Sequence, residues 1–188
     1  MTEFADYFER SVQEFDVRVR QIKDDQWDSP TPCSDWSVRD LVNHLVYEDF
    51  WATPLLGGQT IEQVGDKFEG DLLGDSPVEK WDEASAGAMA SARAPGVMEK
   101  IVHLSFGDVP GQVYISQILN DHVIHAWDLA RGIEADDKLD AELVELLYGI
   151  MKPQEELLKG SGLFGEKIEP PPDADMQTKL LALMGRTP

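Results

Sequence analysis

Residues 112–132 read QVYISQILNDHVIHAWDLARG, and the periodicity of this stretch decides the fold. Ile115, Ile118, Leu119, Ala126 and Leu129 recur at helical spacing and share one face, so the segment is predicted to be an amphipathic helix buried along that stripe. Asp121 and His125 lie on the flank of the stripe, beside Tyr114.

The chain on both sides repeats the pattern. Phe4, Phe8, Val12, Phe15, Val19 and Ile22 are spaced by three and four and predict a first helix. It ends at Trp27-Asp28-Ser29-Pro30-Thr31-Pro32, whose two prolines break helix. A second helix starts near Ser37, where Ser37 and Asp40 form a capping box with aspartate in the usual glutamate position. Val38, Leu41, Val42, Leu45 and Val46 form its buried stripe and His44 stands at the stripe's edge; Pro54 and Gly57-Gly58 close it. Residues 57–76, rich in Gly, Asp and Glu, read as a long irregular connection. Ser76 as N-cap, Pro77 at the first position and Glu79 at the third then open an alanine-rich helix that stops at Pro95-Gly96. Val97 to Phe106 is the strand segment, ending in Gly107-Asp108-Val109-Pro110-Gly111; a short hairpin here must lean on the helices.

A last long helix is predicted from about Asp140 to Lys159, with Leu143, Leu146, Leu147, Ile150 and Met151 buried and a kink at Pro153. A Pro170-Pro171-Pro172 hinge and a short helix around Met176 to Met184 follow. The expected architecture is mainly all-α. Residues 1–160 form a four-helix bundle with a short β-hairpin, and residues 161–188 form a C-terminal tail whose short helix packs on the same domain.

Charge narrows the partners. Sixteen basic residues face 36 acidic ones among 188, a formal net charge of −20. Such a surface repels phosphate backbones and anionic lipid, so neither nucleic acid nor membrane is an expected partner. One cysteine, Cys33, excludes an intrachain disulfide. No run of apolar residues approaches the length of a membrane span, and the acidic N-terminus lacks a signal-peptide pattern. A cytoplasmic protein is expected.

The candidate chemistry lies in the histidines His44, His103, His122 and His125. Asp121 and His125 are four apart, so they rise about 6 Å along one helix face and can converge on one ion. His44 comes from a different helix, and bundles build metal sites from inward side chains on facing helices. Two imidazoles and a carboxylate suit zinc, nickel or iron better than magnesium or calcium, and three ligands leave a coordination position open. His122 is a rival, three residues before His125; helical geometry alone does not choose between Asp121 and His122. Glu48 and Asp128 read either as supports for ligand imidazoles or as solvated carboxylates, Asp128 being placed to pair with Arg131. His103 reads as an ordinary strand histidine and Trp36 and Trp127 as core. Cys33, with no basic neighbour in sequence, reads as a structural thiol.

At these residues a family resemblance becomes visible. Thr31-Pro32-Cys33-Ser34-Asp35-Trp36-Ser37-Val38-Arg39-Asp40-Leu41-Val42-Asn43-His44-Leu45 resembles the "TPC..W.VRDL..HL" signature of the mycothiol-dependent maleylpyruvate isomerase N-terminal-like proteins, within the DinB/YfiT-like superfamily of metal-binding four-helix bundles. Asp121-His122-Val123-Ile124-His125-Ala126-Trp127-Asp128-Leu129-Ala130-Arg131 is similar to the second signature, a carboxylate four residues before the His of an "H.WDLAR" run. The tail, Pro172-Asp173-Ala174-Asp175 followed by Leu180-Leu181-Ala182-Leu183-Met184-Gly185-Arg186-Thr187-Pro188, looks like the ending of one actinobacterial branch.

The resemblance implies a DinB-like bundle whose metal ligands are His44, Asp121 and His125, leaving His122 in the core or behind the ligands. It further implies a divalent cation, zinc first with nickel or iron as alternatives, and mycothiol as cosubstrate. The implied activity is that of a metal-dependent low-molecular-weight-thiol transferase or isomerase, and the alternative is a non-catalytic metal-binding or ligand-sensing bundle. Expected partners are a small-molecule thiol and a small electrophilic substrate, with a homodimer as a further candidate. Two departures stand out. The isomerases carry glutamate where this chain has Asp121, and they have a C-terminal domain for which these 188 residues hold no counterpart.

Overall fold

The computed structural model describes residues 3–155 and 168–187. Helix α1 spans Glu3–Val19, α2 Val38–Gly57, α3 Ile61–Val64, α4 Pro77–Ala92, α5 Gly111–Gly132, α6 Ala141–Met151 and α7 Met176–Leu183. Strands β1, Ile101–Leu104, and β2, Gly107–Pro110, pair antiparallel with Leu104 opposite Gly107.

Four long helices form the core: α1 packs on α5 and α4, and α2 packs on α4 and α5. The predicted stripes of α2 and α5 are buried, and so is that of α1 apart from half-buried Phe4 and Ile22. On α6 only Leu143 and Leu147 of the expected set are buried, with Leu146, Ile150 and Met151 half-buried. Phe8, Val12, Phe15 and Val19 of α1 meet Leu41, Leu45 and Val46 of α2, and Ile115, Ile118, Leu119 and Leu129 of α5, in one apolar cluster. The α2 capping box is present in both halves, Ser37 accepting from the Asp40 amide and Asp40 accepting from the Ser37 amide. That helix runs through Pro54 to Gly57, because a proline in the last turn costs few further hydrogen bonds; Gly58 ends it at φ 98°.

Several boundaries differ from the sequence reading. The connection after α2 holds the one-turn helix α3, opened by a second capping box in which Thr60 and Gln63 exchange bonds. The rest of that connection is tied to α2: Asn43 donates to the Gly70 carbonyl at 3.1 Å and accepts from the Leu72 amide at 2.8 Å. Ser76 stands at the N-cap of α4 without a side-chain capping bond. Residues 107–110, expected to be the turn, form the second strand, and the reversal falls at Ser105-Phe106. Helix α6 ends at Met151 and tightens into a 3₁₀ turn over Lys152–Gln154, where Pro153 cannot donate to the α-helical ladder. The predicted continuation to Lys159 and the boundary at 160 lie outside the described residues. Helix α7 packs on α6, with Leu180, Leu181 and Met184 fully buried.

Close approach makes one glycine obligatory. A Cβ on Gly111, the first residue of α5, would stand 2.0 Å from the Val97 carbonyl oxygen. The Gly111 amide donates to Lys100 O at 2.7 Å, so the start of α5 is pressed against the chain leading into β1.

Candidate functional site

The site grows from the contact of α2 with α5. His44 of α2 and His125 of α5 stand edge to face, ring centroids 5.2 Å apart. Trp36, from the loop before α2, covers both rings at 4.8 Å from His44 and 5.9 Å from His125. That loop is held by Thr31, whose hydroxyl donates to Trp36 O at 2.9 Å and accepts from the Cys33 amide at 3.2 Å. Asp35 takes a left-handed backbone, φ 67°, which aspartate tolerates better than most residues. Trp36, read from sequence as core, is thus a wall of the site; its position directly before the cap of the His44 helix was the available signal.

Behind His125 lies a second cluster. Asp128 is fully buried and accepts through Oδ2 from His125 Nδ1 at 2.9 Å, from Arg186 Nη2 at 2.8 Å and from Cys33 Sγ at 3.2 Å. Burial alone would raise the Asp128 carboxyl, but the bonds from His125 and Arg186 hold it below its ordinary value. An ionised carboxylate only accepts, so His125 carries a proton on Nδ1, which leaves Nε2 as its candidate ligand atom. The expected pairing with Arg131 does not form: Arg131 reaches Asp137 at 3.1 Å and lies over the Trp127 ring. Arg186, from the segment after α7, takes its place.

Cys33 does have a basic neighbour, Arg186 Nη2 at 3.7 Å, brought there by the fold rather than by sequence. Its thiol is nonetheless pushed up to about 12, by burial first and by the Asp128 charge second. The thiol therefore keeps its proton at neutral pH and donates it to Asp128.

The electrostatics in front of the histidines favour a cation. Burial, and then the proximity of His125 and His122, hold His44 down at about 3, so its imidazole is neutral at physiological pH. Glu48, one turn along α2, is pushed up to about 8 by burial and by Asp121 and Asp49. Asp121 is partly open to solvent by area, yet the protein packed around it raises its carboxyl too. Neither His44 nor Nε2 of His125 has a hydrogen-bond partner among the described residues. The neutral His44 imidazole and the unpartnered Nε2 of His125, together with the carboxyl group of Asp121, are a donor set that fits a divalent ion.

His44 and His125 are therefore together, and Asp121 stands one turn before His125 on α5. Among the described residues, the set of three donor side chains whose ligand atoms all lie within 4.8 Å of one another is instead Cys33, His125 and Asp128. A positive charge already serves that set: the Arg186 guanidinium contacts both Asp128 and the Cys33 sulfur. With its thiol protonated and its carboxylate in an ion pair, the cluster acts as support for His125.

The rival histidine points elsewhere. His122 is fully buried, with Nδ1 3.3 Å from Ser11 Oγ and Nε2 3.1 Å from Asp49 Oδ1, between the rings of Phe8 and Trp81. His103 lies on β1 and pairs with Asp108 at 2.7 Å.

The model of the mycothiol maleylpyruvate isomerase N-terminal domain matches residues 8–130, from α1 through nearly all of α5. The chain belongs to this family. Two uncharacterized proteins of Mycobacterium tuberculosis, from strains CDC 1551 / Oshkosh and ATCC 25618 / H37Rv, are each 34% identical to it over 188 residues, covering 95% of this chain and 95% of their own. No solved structure gives a significant match. As a member of the isomerase N-terminal domain family, the chain has the mainly helical DinB-like fold with its hairpin, and no helix among the described residues is long and apolar enough to cross a membrane.

Proposed function

We propose that this protein is a cytoplasmic, metal-dependent transferase or isomerase that uses a low-molecular-weight thiol, mycothiol, against a small electrophilic substrate. His44, Asp121 and His125 hold the ion, zinc before nickel or iron. The observation that carries the reading is the His44–His125 pair under Trp36, in a chain of the mycothiol maleylpyruvate isomerase N-terminal domain family.

A divalent cation held there stabilises thiolate over thiol at neutral pH. The chain's own residues do the rest. His44 stays neutral and so offers its lone pair without competition from protons. Asp128 fixes the His125 tautomer. Trp36 covers the two rings on one side and limits the approach of water to them. Tyr114 is buried beside Glu48, and its phenol is raised by burial and the neighbouring carboxylates, so it keeps its proton and can donate to a substrate oxygen.

Elemental analysis of the native protein beside His44→Ala tests the site, and calorimetric titration with mycothiol tests the activity class. The reading expects stoichiometric metal and thiol affinity in the native protein and neither in the variant. Metal without thiol affinity would leave a non-catalytic metal-binding module. No metal in either would remove the proposal.

A further inference from the structure

We infer that Arg186 is a positioning residue for the metal site, acting through Asp128 on the ring of His125. The inference rests on the metal-site reading above. Arg186 grips both oxygens of one carboxylate: Nε lies 3.3 Å from Asp128 Oδ1 and Nη2 lies 2.8 Å from Oδ2. A carboxylate held at both oxygens cannot rotate, and Oδ2 is the atom that receives the His125 Nδ1 proton at 2.9 Å. The clamp thereby sets the plane in which His125 presents Nε2.

The position of the guanidinium is inherited from the core. Leu180, Leu181 and Met184 are fully buried, the Arg186 amide donates to Leu181 O at 2.9 Å, and Arg186 Nη1 donates to Met184 O at 3.0 Å. The segment after α7 is thus part of the site, although the family match ends at residue 130. Partners of a metal-ligating histidine change affinity by about 10–100-fold when removed. A residue one bond further back acts through the same imidazole and shares that effect.

The test measures zinc affinity by competition with a chromophoric chelator, and the visible absorption of the cobalt-loaded protein. The full chain is compared with Arg186→Met, Arg186→Lys, Asp128→Asn and the Arg186→Met/Asp128→Asn double variant. Arg186→Met should bind zinc about ten-fold more weakly and shift the cobalt bands. Arg186→Lys, which restores the charge but not the two-oxygen grip, should recover part of the loss. In the Asp128→Asn background Arg186→Met should add little, because the path runs through that carboxylate.

Undiminished zinc affinity in Arg186→Met would overturn the inference, as would losses that multiply in the double variant. If Arg186→Met does not fold by circular dichroism, Arg186→Lys carries the test, and affinity equal to the native chain overturns it. A native chain that binds no zinc removes this inference together with the metal-site reading. Loss of zinc in His44→Ala with full binding in Arg186→Met removes this inference alone.

Discussion

His44 and His125, on different helices, meet with ring centroids 5.2 Å apart, and His44 makes no hydrogen bond among the described residues. A partly buried imidazole without a partner contributes little to stability. His44→Ala should therefore lose bound metal while the metal-free protein, missing only the ring contacts with Trp36 and His125, is destabilised by no more than about 1 kcal/mol. Elemental analysis and urea unfolding of chelator-treated protein check both halves, and a large loss of stability would show that His44 packs rather than binds.

The same helix carries two groups with opposite pH slopes. His44 is held at about 3 against an ordinary 6.5, so the unfolded chain binds the extra proton; its contribution is complete above 6.5 and lost as pH falls toward 3. Glu48 is raised to about 8 against an ordinary 4.5, so the folded chain binds the extra proton; its contribution is complete below 4.5 and lost as pH rises through 8. In metal-free protein, Glu48→Gln should raise the unfolding midpoint at pH 8 relative to native and lose that advantage near pH 4. His44→Ala should gain on native only toward acid. Midpoints followed from pH 4 to 8 check the signs.

Cys33, raised to about 12, should resist alkylation. At pH 8 iodoacetamide should label folded protein far more slowly than denatured protein, read by mass spectrometry. Rapid labelling of the folded chain would contradict the half-buried, Asp128-bonded thiol.

Gly111→Ala tests the packing at the start of α5. Its Cβ would meet the Val97 carbonyl oxygen at 2.0 Å, and backbone on both sides leaves nothing flexible to yield. The loss should be about 1–3 kcal/mol, at the upper end, in urea unfolding.

Asp140 caps α6 through the Glu142 and Leu143 amides and receives Arg10 of α1 at 2.5 Å. Burial alone would raise its carboxyl; Arg10 and the cap bonds hold it below its ordinary value instead. Asp140→Ala should cost about 1 kcal/mol, with the difference from native shrinking as acid protonates Asp140. Unfolding compared at pH 7 and pH 3 checks it.

Much of this was legible in the order of residues. Period-3.6 stripes gave α1, α2 and α5, and Ser37 with Asp40 gave the start of α2, because helix faces and caps depend on neighbours within a few positions. The hairpin was legible but the place of its reversal was not, since Gly107 and Pro110 carry turn signals while pairing with Leu104 and Ile101. Helix α3 was missed because one turn is too short to show a period.

The site divides along the same line. Which residues are candidate metal ligands, and that Asp121 and His125 share a helix flank, followed from the sequence, because four residues on a helix fix a direction. That Trp36 covers the histidines, that His122 turns inward to Asp49, and that Asp128 answers to Arg186 rather than Arg131 was decided only by the tertiary structure. Those partners are brought together by helix packing across the chain, and no local spacing encodes a contact of that kind.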